Sequence, residues 1–458
     1  DPAALLEEDH LGALPRVQLS LKISALSSRL DPIDPDGSYR SVAARLRPLV
    51  DRALSLPAGL IFDMEQAETK PLLLDIFKRL FAELPYRAYP YAGLALQAYH
   101  RDTERDVADL LAWSRLRGAP ITIRLVKGAY WDSDTVRYRQ AGWPIPLFEQ
   151  KADTDANYER LIRTLFDHAD LIRPAFGTHN LRTLAVIEAV ADACGLPPNA
   201  REYQMIYGMA EPFQQAMVKL GRRVRLYTPV GLLLPGMAYL VRRLLENTSN
   251  ESFLRKEYVE SQPLARLLAP PVVPAPSTTA QPSKATQGFM NEPHSDFSQE
   301  TVRHAMQEGI SSVRSQLGRQ WDMDSSLPPL TGPWLTTHNP CHPDQIVASV
   351  RGAARLDLDR AIQQAQAHAD SWRRRSAEER AAILRQAASD MSRRRFELAA
   401  WEVFEVGKPW READADVAEG MFPVVMFSHG AVGMRVQSSF LTSNLASWGV
   451  IVVSVDHP

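Results

Sequence analysis

Three cationic side chains stand where they could meet an anion. Lys22 lies near the end of the run VQLSLKIS, Arg124 sits inside ITIRLVK, and Lys127 closes that second run. In the first run Val17, Leu19, Leu21 and Ile23 alternate with Gln18, Ser20, Lys22 and Ser24, and Arg124 stands between Ile123 and Leu125. Alternation of this kind marks a strand with two unlike faces. If the apolar face holds helices, Lys22 and Arg124 point to the other, inner side. A second group lies on PGMAYLVRRLLEN (235–247), where Tyr239, Arg242, Arg243 and Glu246 recur at helical spacing and share one face. Two neighbouring guanidiniums can clamp a carboxylate with paired hydrogen bonds, and the same face read blandly is a solvated basic stripe. The chemistry on offer is the holding of an anion: a carboxylate, a phosphate or a reduced flavin. Schiff-base aldolase chemistry at Lys22 or Lys127 is the alternative from residue type alone.

Other chemistries lack their residues. No glycine-rich dinucleotide or P-loop motif follows a strand, and neither H-E-x-x-H nor G-x-S-x-G occurs. His179 has no companions at zinc-ligand spacing, so no metal is expected. Two cysteines, Cys194 and Cys341, cannot build a disulfide scaffold and fit a reducing compartment. The formal charge of -2, from 52 basic and 54 acidic residues, gives no basic field and argues against nucleic acid as a partner. The longest apolar stretch, 229–241, is broken by Gly231, Pro235 and Gly236 and is too short to span a bilayer. No signal peptide is expected from the opening residues, the first of which is Asp1.

The elements that must position these residues follow from periodicity. Seven strands are predicted at 17–24, 59–65, 93–99, 121–127, 173–178, 202–207 and 223–228. Between most of them lie amphipathic helical stretches such as KPLLLDIFKRLFAEL and DTERDVADLLAWSRL. Strands alternating with helices of this length make parallel βα units, and seven of them predict an α/β barrel rather than an open sheet. Each strand ends in polar residues, among them Asp63, Gln97, Lys127, Thr178 with His179 and Asn180, and Tyr227. In a barrel all these ends meet on one rim, where active sites sit. The 458 residues divide into a barrel at 1–265, a Pro-, Ser- and Thr-rich linker at 266–300, a third segment at 301–420 and a strand–helix–strand piece at 421–458.

The segments LKISALSSRLDPIDP, LIFDMEQ, LALQAY, TIRLVKGAYWDSDTV, FGTHN, EYQMIYGM and GMAYLVRRLLENTSNESF closely resemble the proline dehydrogenase domain of the bifunctional proline utilisation A flavoenzymes. The resemblance implies a distorted (βα)8 TIM-type barrel holding FAD. It implies that Gln97, Arg124, Val126, Lys127, Gly128 and Ala129 contact the flavin. Thr178, His179, Asn180 and Glu246 would hold the rest of the cofactor. L-Proline would lie over the flavin with its carboxylate on Lys22, Arg242 and Arg243, and with Asp63, Tyr227, Tyr239 and Leu125 lining the pocket. The product would be 1-pyrroline-5-carboxylate. Electrons would pass to a quinone, which places the protein in the cytoplasm with a peripheral contact at the inner membrane.

Departures from that pattern carry their own expectations. The family's first barrel strand has no counterpart in DPAALLEEDHLGALPR, so one of eight strands is expected to be missing. Residues 287–420 resemble the start of the family's glutamate-semialdehyde dehydrogenase, without its nucleophilic cysteine. Residues 421–458 resemble an early piece of an α/β-hydrolase, with His429 and Gly430 where an oxyanion hole would form. A non-catalytic remnant and, further off, a hydrolase-type esterase are therefore the alternatives to a working proline dehydrogenase.

Overall fold

A computed structural model describes residues 5–232, scattered positions between 234 and 272, and residues 291–322, 329–418, 424–428 and 451–455. Seven parallel strands form one sheet in chain order: β3 (Val17–Leu21), β4 (Ala58–Phe62), β5 (Ala92–Gln97), β6 (Ile121–Val126), β7 (Ile172–Gly177), β8 (Glu202–Ile206) and β9 (Arg223–Tyr227). Every neighbouring pair is parallel, and helices return the chain between strands, as in a distorted TIM-type barrel. Among the described residues β3 and β9 do not pair. The helices are α1 (Pro35–Ser55), α2 (Lys70–Leu80), α3 (Thr103–Arg117), α4 (Trp131–Ala141), α5 (Lys151–Phe166), α6 (Leu181–Ala193) and α7 (Glu211–Lys219).

Local signals set the helix ends. Asp34 caps α1 by accepting from the Gly37 amide at 2.8 Å, with Pro35 at the first helical position. Gly118 ends α3 in the left-handed conformation at φ 77°. Asn180 caps α6 through the Thr183 amide at 3.0 Å.

The core lies between the outer strand faces and the helices. Leu60, Phe62, Leu94, Leu96, Ile123, Leu125 and Phe176 pack with Leu46, Phe77, Phe81, Leu161 and Ile187. Phe62 meets Phe77 edge-on at 5.4 Å. The expected apolar cover fails at one place: Val17 and Leu19 on β3 are 54% and 45% exposed, because β3 is an edge of the described sheet.

Among the described residues before Val17 there is no barrel strand, yet they are not irregular. They form an antiparallel hairpin, β1 (Leu6–Asp9) and β2 (Gly12–Pro15). It covers the N-terminal end of the barrel. Asp9 accepts from Arg173 Nε at 2.6 Å, and the other guanidinium nitrogens reach the Pro90 carbonyl at 2.8 Å and the Ala13 carbonyl at 3.3 Å. Both charged groups are buried. Arg225 of β9 donates to the Arg16 carbonyl and, at 3.1 Å, to the Pro15 carbonyl, so β9 is tied to the start of β3 by side chain rather than by ladder.

The chain divides into two units, residues 1–140 with 144–279, and 141–143 with 280–458. In the second, α8 (Glu300–Arg314) packs on α11 (Arg395–Glu405) beside a sheet of β10 (Arg319–Trp321), β11 (Trp334–Asn339) and β12 (His342–Arg351). Val313, Val347, Ala400 and Phe404 make its core. Its packing starts inside the stretch read as linker, since Phe297 and Ser298 are buried. The helices α9 (Arg355–Arg374) and α10 (Ala377–Arg393) leave Ile362, Trp372 and Leu384 exposed. Asp414 on α12 (Trp410–Ala418) is buried and accepts from Ser295 and Arg395. The predicted final strands are β13 (Val424–Ser428) and β14 (Ile451–Val455), and they pair in parallel. His429 and Gly430 lie outside the described residues.

Removing one partner of a buried ion pair leaves the other uncompensated. Asp9→Ala should therefore cost about 3–5 kcal/mol of unfolding free energy, read as a lowered urea midpoint at constant slope. A midpoint equal to the parent's would show that the hairpin does not fasten the barrel.

Candidate active site

The inner faces of four strands converge on one carboxylate. Asp63, just after β4, accepts from Ser20 Oγ on β3 at 2.7 Å and from the Tyr227 hydroxyl on β9 at 3.2 Å. It is also ion-paired with Arg124 on β6. Arg124 donates a further hydrogen bond to Ser20 Oγ at 3.1 Å, and its guanidinium lies 5.6 Å from the centre of the Tyr227 ring. Asp63 and Arg124 are buried. Burial, and then the negative Asp63 beside it, push the Tyr227 phenol up to about 12, so it remains a neutral donor.

Lys22 follows β3 and donates to the Tyr130 hydroxyl at 2.8 Å. Lys127 follows β6 and pairs with Asp155 of α5, which also accepts from Lys151 at 2.5 Å. Burial holds the Lys127 ammonium below its ordinary range against the pull of Asp155. Lys22 and Lys127 follow the C-terminal ends of β3 and β6, and Arg124 lies inside β6 on the inner face, so the cations gather toward one end of the barrel, but the mouth is not a bare field of positive charge. Arg124 and Lys127 each carry a counter-ion, because a desolvated cation without one is too costly.

Gln97, at the end of β5, is buried. Its amide nitrogen donates to the Glu65 carbonyl at 2.9 Å, and its Oε1 has no partner among the described residues. Gly128 has φ +143°, and a Cβ there would stand 2.5 Å from the Tyr99 ring. The turn Gly128–Ala129 is exposed, with Val126 half-buried behind it. After β7, Thr178 Oγ1 accepts from the Asn180 amide at 3.1 Å, and His179 Nε2 accepts from the Ile206 amide at 3.0 Å, which puts the ring proton on Nδ1. Leu125 is not a pocket residue: it has the opposite parity to Arg124 and is fully buried in the helix-facing core. Tyr239, Arg242, Arg243 and Glu246 lie outside the described residues.

Three contributors were not singled out from sequence. Alternation places Ser20 only on the inward face, although it shares Asp63 with Arg124. Tyr130 sits two residues after Gly128 in KGAY and meets Lys22 across the rim. Asp134 looks like an ordinary acid in the first turn of α4, yet it is buried against Tyr99.

A parallel βα barrel with its polar cluster at the strand C-terminal ends defines a barrel protein of the enzyme-bearing kind. This chain belongs to the proline dehydrogenase family: the family described as Proline dehydrogenase matches residues 3–256. The aldehyde dehydrogenase family matches residues 331–453. That second match runs through the segment likened to an α/β-hydrolase, and the hydrolase likeness finds no support. The bifunctional protein PutA of Salmonella typhimurium is 32% identical over 429 residues, covering 88% of this chain and 32% of that protein. Proline dehydrogenase 2 of Bacillus subtilis is 32% identical over 238 residues, covering 52% of this chain and 68% of that one. The crystal structure of proline utilization A from Bdellovibrio bacteriovorus inactivated by N-propargylglycine superposes with a TM-score of 0.83 at 40% identity, over 90% of this chain and 43% of that one. The chain therefore spans about a third of the length of the bifunctional relatives it matches.

The Gly128 conformation and the ring behind it leave no room for a side chain. Gly128→Ala should cost about 1–3 kcal/mol in urea unfolding, the usual cost of forcing a residue into a glycine-only conformation. Equal stability would mean that the turn and Tyr99 shift freely.

Proposed function

We propose that this chain oxidises L-proline to 1-pyrroline-5-carboxylate with FAD as cofactor. The observation that carries the reading is the buried Gln97 Oε1, unpartnered among the described residues, in a chain of the proline dehydrogenase family. A buried amide oxygen without a donor is costly, and an isoalloxazine ring N–H is a donor of the right kind. The residues fit the group in a second respect: the Gly128–Ala129 turn is exposed, so its backbone is open to a flat ring.

When bound, FAD supplies a two-electron acceptor for the hydride that leaves the proline ring carbon beside nitrogen, while the nitrogen gives up a proton. The chain's residues do the rest. Lys22, Arg242 and Arg243 bind the carboxylate and fix the ring, so orientation supplies much of the rate. Asp63, held by Ser20, Arg124 and Tyr227, keeps the pocket wall rigid. Arg124 and Lys127 bring positive charge to the cofactor side, with Val126 and Ala129 in contact. Thr178, His179, Asn180 and Glu246 hold the cofactor's tail, and Tyr239 packs on the proline ring. A membrane quinone is the electron acceptor in this reading, met by peripheral contact from the cytoplasm; among the described residues no helix is long and apolar enough to cross a membrane.

One observation favours a second reading, a chain that keeps the fold without turnover: Val17 and Leu19 stand exposed on the unpaired edge of β3. Anaerobic addition of proline to the FAD-loaded chain separates the two. Bleaching of the visible flavin band is expected, and a chain that retains flavin without bleaching would favour the second reading. Arg242→Met and Arg243→Met should each raise the apparent KM for proline roughly tenfold or more, the worth of a charged hydrogen bond. An unchanged KM in both would remove the clamp.

A further inference from the structure

Three pieces of the rim meet on one buried carboxylate away from the Asp63 cluster. Asp134 follows the Lys127–Tyr130 turn by one helical turn, and its amide donates to the Tyr130 carbonyl at 2.9 Å. Its side chain is 1% exposed. Oδ2 accepts from the Ala67 amide, in the loop after β4, at 3.0 Å, and the Tyr99 hydroxyl stands 3.5 Å away. Tyr99 follows β5. Its amide donates to the Lys127 carbonyl at 2.9 Å, and its ring fills the space beside Gly128. The carboxylate, the phenol and the turn are therefore stacked one behind another.

We propose that Tyr99 and Asp134 are a positioning pair that holds the Lys127–Tyr130 turn in the conformation its flavin ligand requires, with Asp134 acting as the ionised acceptor. The proposal rests on the flavin reading above. Neither residue is assigned contact with cofactor or substrate; they act through the turn.

The charged surroundings decide how the pair responds to pH. Asp134 faces Tyr99, the Ala67 amide, and the ion pair of Arg137 with Glu68. Tyr99 faces Asp134, Tyr130 and the ring of His100, whose centroid is 4.7 Å away. His100 in turn lies beside Lys70, which is held by Asp102 and Asp106. Burial, aided by the Lys70 charge, pushes His100 down to about 3, so it stays neutral near neutrality. Burial pushes Asp134 up to about 6 from an ordinary 3.8. Asp134 therefore changes charge closer to neutral pH than an ordinary aspartate does.

A merely structural carboxyl and a positioning one differ in sign. A folded-state pKa above the unfolded value means that folding favours the protonated form. The stability Asp134 contributes is then present below 3.8 and lost as pH rises through about 6. Positioning runs the other way, because the ionised acceptor grips the Tyr99 hydroxyl more strongly. Order in the turn should rise as pH rises through about 6.

Hydrogen exchange at the Tyr99 and Asp134 amides of the full chain, which donate to the Lys127 and Tyr130 carbonyls of the turn, reads this directly, with and without FAD. Protection, corrected for intrinsic rate, should rise severalfold between about pH 5 and about pH 7.5 in the parent. It should be flat in Asp134→Asn and regained in Asp134→Glu. Tyr99→Phe, which keeps the ring, should lower it. In the FAD-loaded chain Asp134→Asn should reduce kcat for proline oxidation roughly tenfold, less than the hundredfold of a full ångström of misplacement, and abolish the acid limb with KM little changed. Equal, pH-independent protection in parent and Asp134→Asn would overturn the pair. A chain that takes up no FAD would overturn the flavin reading instead, and exchange in its absence still decides the pair.

Discussion

The barrel interior is organised by the Asp63–Arg124 ion pair. A guanidinium inside a barrel has lost its water, and it persists only where a carboxylate and further acceptors replace that water. Asp63 supplies the charge and Ser20 a second acceptor, while Tyr227 donates to the same carboxylate. These four residues belong to β3, the end of β4, β6 and the end of β9, so one polar cluster fixes the mutual position of both edge strands and the middle of the sheet. The cluster also limits the site's electrostatics. Arg124 is already paired with Asp63, so Lys22, which donates to the Tyr130 hydroxyl and pairs with no carboxylate among the described residues, is the better placed of the described cations to receive a carboxylate.

The two ends of the barrel serve different purposes. The N-terminal end is closed by the β1–β2 hairpin, whose Asp9 satisfies Arg173 deep in the interior. Arg225 carries the same closure across to β9 through backbone carbonyls and Glu202. The C-terminal end carries the buried Asp63–Arg124 cluster and the buried Gln97, whose Oε1 has no protein partner among the described residues. The N-terminal end is thus closed by ion pairs and backbone contacts, and the binding groups gather at the other end, the usual division in such barrels.

Much of this was legible in sequence because period-two alternation is a local signal. It located the seven strands and assigned Ser20, Lys22 and Arg124 to the inside. What alternation cannot supply is the choice of partner. Asp63 and Arg124 are 61 residues apart, and their meeting depends on the registers of β4, β5 and β6. The hairpin escaped because LEED and GALP have neither β-branched residues nor alternation, and its pairing is held by Gly12 at φ +104° and by the Arg173 ion pair. Family resemblance assigns Leu125 to the pocket, and strand parity alone argues against that. Asp134 was hidden for a different reason: an acid in the first turn of a helix normally faces water, and its burial depends on a loop 67 residues earlier.

A double-mutant cycle on Asp63→Asn and Arg124→Met, followed by urea unfolding, tests the organising role of the pair most directly. The account predicts that each single change is strongly destabilising and that the double variant recovers at least ~1 kcal/mol relative to their sum. Additivity within ~0.5 kcal/mol would contradict it, and would mean that the two charges are buried side by side without depending on one another.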